Sequence, residues 1–325
     1  MRSSPAHPSL YQINTRVWLT RLSESLGRPA TLDDVPDAEL DRLAEMGFDW
    51  VWFLSVWQTG PAAQQVSRGN AGWRREFQET LPDLREADIG GSGFAIQSYS
   101  VHRDLGGAVA LASLRQRMKT RGLKLMLDFV PNHMAPDHPW IDEHPDYFVH
   151  GSESDLAHAP QNYCRVQTKN GAQVLAYGRD PYFDGWSDTL QLDYGNPDLQ
   201  QAMIGELEKI SEQCDGVRCD MAMLVLRDVF ERTWRIRADL FWPKVTESVR
   251  RKHPHFLFMA EVYWDLEWTM QQHGHVVARA TDLHVRVGLA ALLGTAQDDV
   301  VAGPADHRVA TEKSDHNVVA GEADD

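Results

Sequence analysis

Four segments of the chain repeat one unit: apolar residues at helical spacing, then a glycine or proline, then a short apolar run. The first is AELDRLAEMGFDWVWFLSVW, with Leu40, Leu43 and Met46 ahead of Gly47. The second is LASLRQRMKTRGLKLMLDFV, with Leu111, Leu114 and Met118 ahead of Gly122. The third, LQQAMIGELEKISEQCDGVRCDMAML, breaks at Asp215–Gly216, and the fourth, PKVTESVRRKHPHFLFMAEVYW, breaks at Pro254. Short apolar runs without alternation belong to strands buried on both faces, and such strands need helices above and below them. The run YQINTRVWL reads as an earlier, first strand. The expectation is an α/β fold with about five parallel strands.

Two architectures satisfy that pattern. An open doubly wound sheet carries a glycine-rich fingerprint at its first strand–helix turn, and none is present here. A barrel instead gathers polar residues at the C-terminal ends of several strands. Asp128, Asp220 and Glu261 each close an apolar run, so the sequence predicts a (β/α)8 TIM-type barrel. The stretch 134–190 has little helical period and is rich in aromatics, glycine and proline, which marks a small subdomain inserted after the third strand. Residues 1–133 then form the first part of the barrel and 191–273 its continuation. The 11 Trp, 8 Tyr and 11 Phe all lie at or before Trp268. Residues 274–325 therefore read as an atypical, poorly ordered tail, and the barrel as incomplete, truncated or frame-shifted after its fifth strand.

A formal charge of −15 argues against nucleic acid and anionic membrane as partners. No apolar run approaches the length of a membrane span, and the N-terminal residues lack the apolar segment of a secretory signal, so a cytoplasmic protein is expected. The 3 cysteines, Cys164, Cys214 and Cys219, form no CxxC pair and read as reduced structural thiols.

Three strand-end motifs carry the chemistry: DFVPNH (128–133), GVRCD (216–220) and AEVYW (260–264). Two carboxylates on neighbouring strand ends can flank one scissile bond; in retaining glycosidases they stand roughly 5–5.5 Å apart. Arg218 lies two residues before Asp220, on the same side of a strand, where a cation keeps a carboxylate ionised. Glu261, among Phe258, Met259, Ala260 and Val262, is placed for desolvation to keep it protonated near neutral pH, as a general acid requires.

With these motifs the chain resembles the α-amylase superfamily of retaining glycoside hydrolases, family 13. DFVPNH, GVRCD and FMAEVYW match three of that family's characteristic regions, and GSGFAIQSYSVHRDLGG resembles the segment leading from the second strand towards the third. The resemblance covers residues from about 10 to 270. It implies Asp220 as nucleophile, Glu261 as acid/base, and Arg218 and His133 as contacts to the cleaved sugar. It implies Asp128 as support for the Arg218–Asp220 pair and Asn132 as the residue ordering the insertion. Phe94 stands where the family usually has a stacking Tyr. No cofactor is required for the chemistry. Ca2+ near Asn132 is left open, because relatives use that Asn for calcium. The implied partner is an oligosaccharide or α-glucan; oligomeric state is left open.

Two further departures accompany the resemblance. Met223 and Leu224 occupy places where many amylases have Lys-His, which favours short α-glucosides or glucosyl transfer over starch endo-hydrolysis. The family's third carboxylate, in an Asn-His-Asp motif, has no clear match; the nearest strings are ADHR (305–308) and SDHN (314–317). A catalytically impaired, carbohydrate-binding remnant is therefore the alternative. Tyr177, Tyr182, Phe183 and Trp186 are candidates for sugar platforms or for the insertion's own core. A metal-dependent barrel hydrolase ranks last, because NTRVWLT lacks a His-x-His pair.

Overall fold

Each glycine or proline break delivers the chain into a strand, and the strands meet in one sheet. The computed structural model describes residues 8–278. Strands β1 (Leu10–Asn14), β2 (Trp50–Leu54), β3 (Lys124–Phe129), β4 (Gly216–Cys219), β5 (Leu257–Glu261) and β6 (Val276–Ala278) lie side by side in chain order, all parallel. Sequential parallel neighbours, each reached by a helical crossover, are the winding of a (β/α) barrel. The sheet has six strands among the described residues, one more than the five expected. β6 lies inside the stretch read as an atypical tail; its Val-Val-Ala run is too short to stand out from sequence. The remainder of that stretch, 279–325, lies outside the described residues.

The crossovers contain α1 (Thr15–Leu26) and α2 (Asp37–Glu45) before β2, and α3 (Pro61–Gly69), α4 (Ala71–Thr80) and α5 (Gly107–Thr120) before β3. α6 (Pro197–Ser211) precedes β4, and α7 (Trp242–Lys252) precedes β5. The first apolar run was expected to be all strand, but it turns helical at Thr15 because the Asn14 side chain accepts the Val17 N–H and caps α1. The third α2 position expected in the core, Met46, lies past the helix end and is 49% exposed. Leu111, Leu114 and Met118 of α5 are buried as their spacing requires.

Residues 134–190 run between β3 and α6 as one segment. It contains short helices at Trp140–Glu143 and Glu153–His158 and a hairpin of Tyr163–Thr168 with Gly171–Ala176. An antiparallel pairing of His133–Met134 with Leu190–Gln191 closes its base. A second insertion, α3 and α4 after β2, has no counterpart in the sequence reading. Its signals were local: Pro61 opens α3, and Asn70 caps α4 by accepting from the N–H groups of Gly72 and Trp73.

Strand alternation explains why the polar residues converge. Leu10, Trp50, Trp52, Met126 and Met259 form one buried cluster. Asp128, Arg218 and Glu261 share its phase, two residues on from Met126, Gly216 and Met259. Gly216 is the small member of that layer, because the Trp50 ring fills its space. A Cβ there would lie 2.8 Å from the Leu257 carbonyl and 3.0 Å from the Trp50 ring. Gly216→Ala should therefore cost about 1–3 kcal/mol of stability, read from urea unfolding. An unchanged midpoint would mean that this layer is loosely packed.

Among the described residues, no helix is long and apolar enough to cross a membrane.

Candidate active site

Arg218 joins the two strand-end carboxylates. Its Nη1 donates to Asp220 Oδ1 at 2.6 Å and its Nη2 to Glu261 Oε2 at 2.5 Å. The Arg218 side chain is 10% exposed and that of Asp220 8%. Glu261 Oε2 also accepts the Met221 N–H at 2.9 Å, and Oε1 accepts the Tyr263 hydroxyl at 2.9 Å. The apolar surround expected for Glu261 is thus replaced by three donors, because Phe258 and Ala260 turn to the other face of the strand. The guanidinium lies 5.2 Å from the Trp52 ring and 5.0 Å from Phe94, so both aromatics cover it.

The backbone around this group is strained. Ser55, Met221, Trp264 and Asp265 have φ of 65°, 43°, 64° and 58°, and all four follow the C-terminal ends of sheet strands. Non-glycine residues hold such angles only where the surroundings over-determine them. Two of them donate: the Ser55 N–H to Asp128 Oδ2 at 2.8 Å, and the Met221 N–H to Glu261.

Asp128 is fully buried, with Oδ1 accepting the Trp52 indole N–H at 3.0 Å. Burial pushes its carboxyl up to about 7, against the opposing pull of Arg218 and of the Ser55 and Trp52 donors. Burial also opposes the charge on Arg218, but Asp220, Glu261 and Asp128 outweigh it and hold the guanidinium protonated more firmly than usual. A raised carboxyl pKa binds a proton in the folded chain that the unfolded chain, with its value near 3.8, has released. Its contribution to stability is therefore full at acid pH and declines as pH rises from about 4 to about 7. The stability of the parent chain relative to Asp128→Asn should shrink between pH 4.5 and 7.5, measured by urea unfolding at both. A difference independent of pH would place the titration elsewhere.

His133 is 4% exposed and packs edge-on against Trp186 at 5.3 Å. Burial lowers its pKa to about 4, partly opposed by Asp188, so the imidazole is neutral at physiological pH. Asn132 is buried, and its Oδ1 and carbonyl both accept from the Gln191 amide at 3.0 Å, tying β3 to the end of the insertion. That oxygen is occupied, and among the described residues no group of three or more His, Cys, Asp or Glu is disposed to hold a metal. Met223 and Leu224 are buried in a 3-10 turn after β4. Tyr182 and Phe183 are exposed, and Tyr182 meets the Trp264 ring at 4.9 Å. The candidate strings 305–308 and 314–317 lie outside the described residues.

Sequence reasoning missed Trp52, Ser55, Met221, Tyr263 and Asp188. The first two were hidden in an apolar run. Met221 acts through its backbone, and Tyr263 lay unread in the quoted AEVYW motif.

The model of the alpha amylase catalytic domain matches residues 32–298, a span that includes β2 to β6 and all three strand-end motifs. The chain belongs to the alpha-amylase family. In the α-1,4-glucan:maltose-1-phosphate maltosyltransferase of Burkholderia pseudomallei it is 26% identical over 251 residues, 74% of this chain and 18% of the relative. The enzyme of the same name from Salinibacter ruber is 31% identical over 149 residues, 43% of this chain and 21% of the relative. The chain thus spans about a fifth of the length of these relatives. The alpha-amylase structure from Lactobacillus plantarum superposes with a TM-score of 0.54 at 24% identity, covering 84% of this chain and 50% of that one. The alpha-amylase of H. orenii gives 0.53 at 20%, covering 83% and 51%. These likenesses show the fold: the six parallel strands are barrel strands of the alpha-amylase type.

Proposed function

We propose that the site transfers an α-glucosyl-type unit with retention, from an oligosaccharide or α-glucan donor. Asp220 attacks the anomeric carbon while the glycosidic C–O bond breaks, and Glu261 gives its proton to the departing oxygen. In the second step a sugar hydroxyl or water attacks the glycosyl-Asp220 ester and returns a proton to Glu261. The observation that carries the reading is the Arg218 bridge. One guanidinium is bonded to both carboxylates, and a retaining mechanism needs two carboxylates close together. The guanidinium also fixes the direction of the Asp220 carboxyl group.

The names of the relatives extend the proposal to transfer of a maltosyl unit from maltose 1-phosphate to a glucan. Buried Met223 and Leu224, in place of polar acceptor-side residues, support small donors over starch endo-hydrolysis. The test is to incubate the chain with α-maltose 1-phosphate and an α-1,4-glucan, and separately with nitrophenyl α-glucoside. Phosphate release that depends on glucan supports transfer. Nitrophenol release alone supports hydrolysis of short glucosides. Sugar binding with turnover of neither supports the second reading, a carbohydrate-binding remnant; the lack of a clear Asn-His-Asp motif favours that reading.

A further inference from the structure

Beside α4 lies a cavity of about 730 Å3. Its lining is mostly apolar: Trp73 and Phe77 of α4, then Leu81, Leu84 and Ile89, with Asp188 among them. Trp73 and Phe77 are four residues apart, so they share one face of α4. A helix normally buries such a face against the core. No residue of α4 is buried, and Leu81 just beyond it is 41% exposed. Among the described residues, no aromatic ring packs on Trp73 or Phe77, and no lysine or arginine covers either. The volume falls within the usual range of small-molecule sites.

Two carboxylates line the cavity, and they differ. Asp88 is matched, because Arg85 pairs with it at 3.3 Å. Asp188 is 6% exposed, and among the described residues no lysine or arginine pairs with it and no side chain donates a hydrogen bond to it. The neighbour acting on it is His133, which is neutral at physiological pH. Burial resists the charge on Asp188 and raises its carboxyl above the usual value. A buried carboxylate is normally satisfied by a cation, yet the lining includes no lysine, arginine or histidine.

These features select a ligand. An anion would be repelled by Asp188. A polyol would set most of its hydroxyls against apolar side chains, where they would go unpaired. A bare metal ion needs several oxygen ligands, and among the described residues no group of three or more His, Cys, Asp or Glu is disposed to hold one. An ammonium bearing carbon substituents suits both kinds of surface. Its charge offsets Asp188, its carbon atoms pack on the leucines and isoleucine, and cations are attracted to the faces of Trp and Phe rings. A chain of formal charge −15 also raises the local concentration of cations.

We propose that this cavity binds an organic ammonium ion, with Asp188 as its counter-ion and Trp73 and Phe77 as the rings that cover it. The site draws on none of Asp220, Glu261 and Arg218, so it stands or falls apart from the glycosyl-transfer reading.

Titration of the full chain with choline and with its uncharged carbon analogue, 3,3-dimethylbutan-1-ol, by calorimetry and tryptophan fluorescence, tests it. The two probes share a shape and differ in charge. Choline should bind more tightly than the alcohol, on the order of tenfold or more. Asp188→Asn and Trp73→Ala should each weaken choline about tenfold. Asp88→Asn removes a carboxylate that Arg85 already holds, so it should change choline binding less than about twofold. Because α4 contributes no buried residue, Trp73→Ala should fold as the parent does, and Phe77→Ala provides an independent check. Choline, and not the alcohol, should also slow amide exchange across residues 71–92, a readout that needs no variant. Equal binding of the two probes would mark an apolar site without charge selection and overturn the proposal. Choline binding that survives Asp188→Asn unchanged, or no binding of choline by the parent, would overturn it as well.

Discussion

Asp220→Asn should abolish glycosyl transfer while leaving sugar binding in place. In the proposed mechanism the substitution preserves shape but removes the charge that would attack the anomeric carbon, so no covalent intermediate would form. Of the two carboxylates bonded to Arg218, Asp220 is the more enclosed, and its backbone N–H is fixed by the Phe129 carbonyl at 2.8 Å. The side chain therefore has little freedom to be replaced by a neighbour. A rate loss on the order of 10⁴-fold or more is expected, in keeping with removal of a nucleophile elsewhere. A 2-fluoro-glucosyl fluoride should add one sugar mass to the parent chain, on the peptide bearing Asp220, and add none to the variant. Labelling of the variant, or labelling of Glu261 instead, would reverse the assignment of roles.

Arg218→Met should be the most destabilising change in the site. It leaves Asp220, Glu261 and Asp128 close together, two of them almost wholly buried, with no cation among them. Removing one partner from a buried ion pair typically costs about 3–5 kcal/mol, because the remaining charge stays desolvated. Lysine would restore the charge but not the fork that reaches two carboxylates at once, so Arg218→Lys should recover only part of the loss. Urea unfolding of the parent and of both variants checks the magnitude. A loss within about 0.5 kcal/mol would mean that water already screens the group.

Much of the fold was legible because its signals are local. A 3.6-residue apolar period, a glycine or proline stop and an apolar run can each be read within about twenty residues, and β2 to β5 follow from them. The insertion after β3 was legible for the opposite reason, as a long stretch without such a period. The helices α3 and α4 were not: α4 buries no residue and α3 buries only the small Ala63 and Ser67, so neither shows a run of large apolar residues at helical spacing. The capping residues Pro61 and Asn70 were present but weak by themselves. β6 was missed because its three residues offer too little apolar run to separate from the segment around it.

The order of the elements, and the placing of Asp128, Asp220 and Glu261 at strand ends, came from sequence alone, because strand phase and break points are written into neighbouring residues. The Arg218–Asp220 contact is of the same kind, two residues apart on one strand. What only the tertiary structure decided is that Arg218 also holds Glu261, 43 residues away, and that Trp52 and Ser55 hold Asp128 from 76 and 73 residues away. Those contacts depend on the register of parallel strands: Arg218 opposite Asp128 on one side and Met259 on the other. A one-residue slip would turn each side chain to the opposite face. Register is settled by packing across the whole sheet, so the surroundings of Glu261 could be known only once β4 and β5 were side by side.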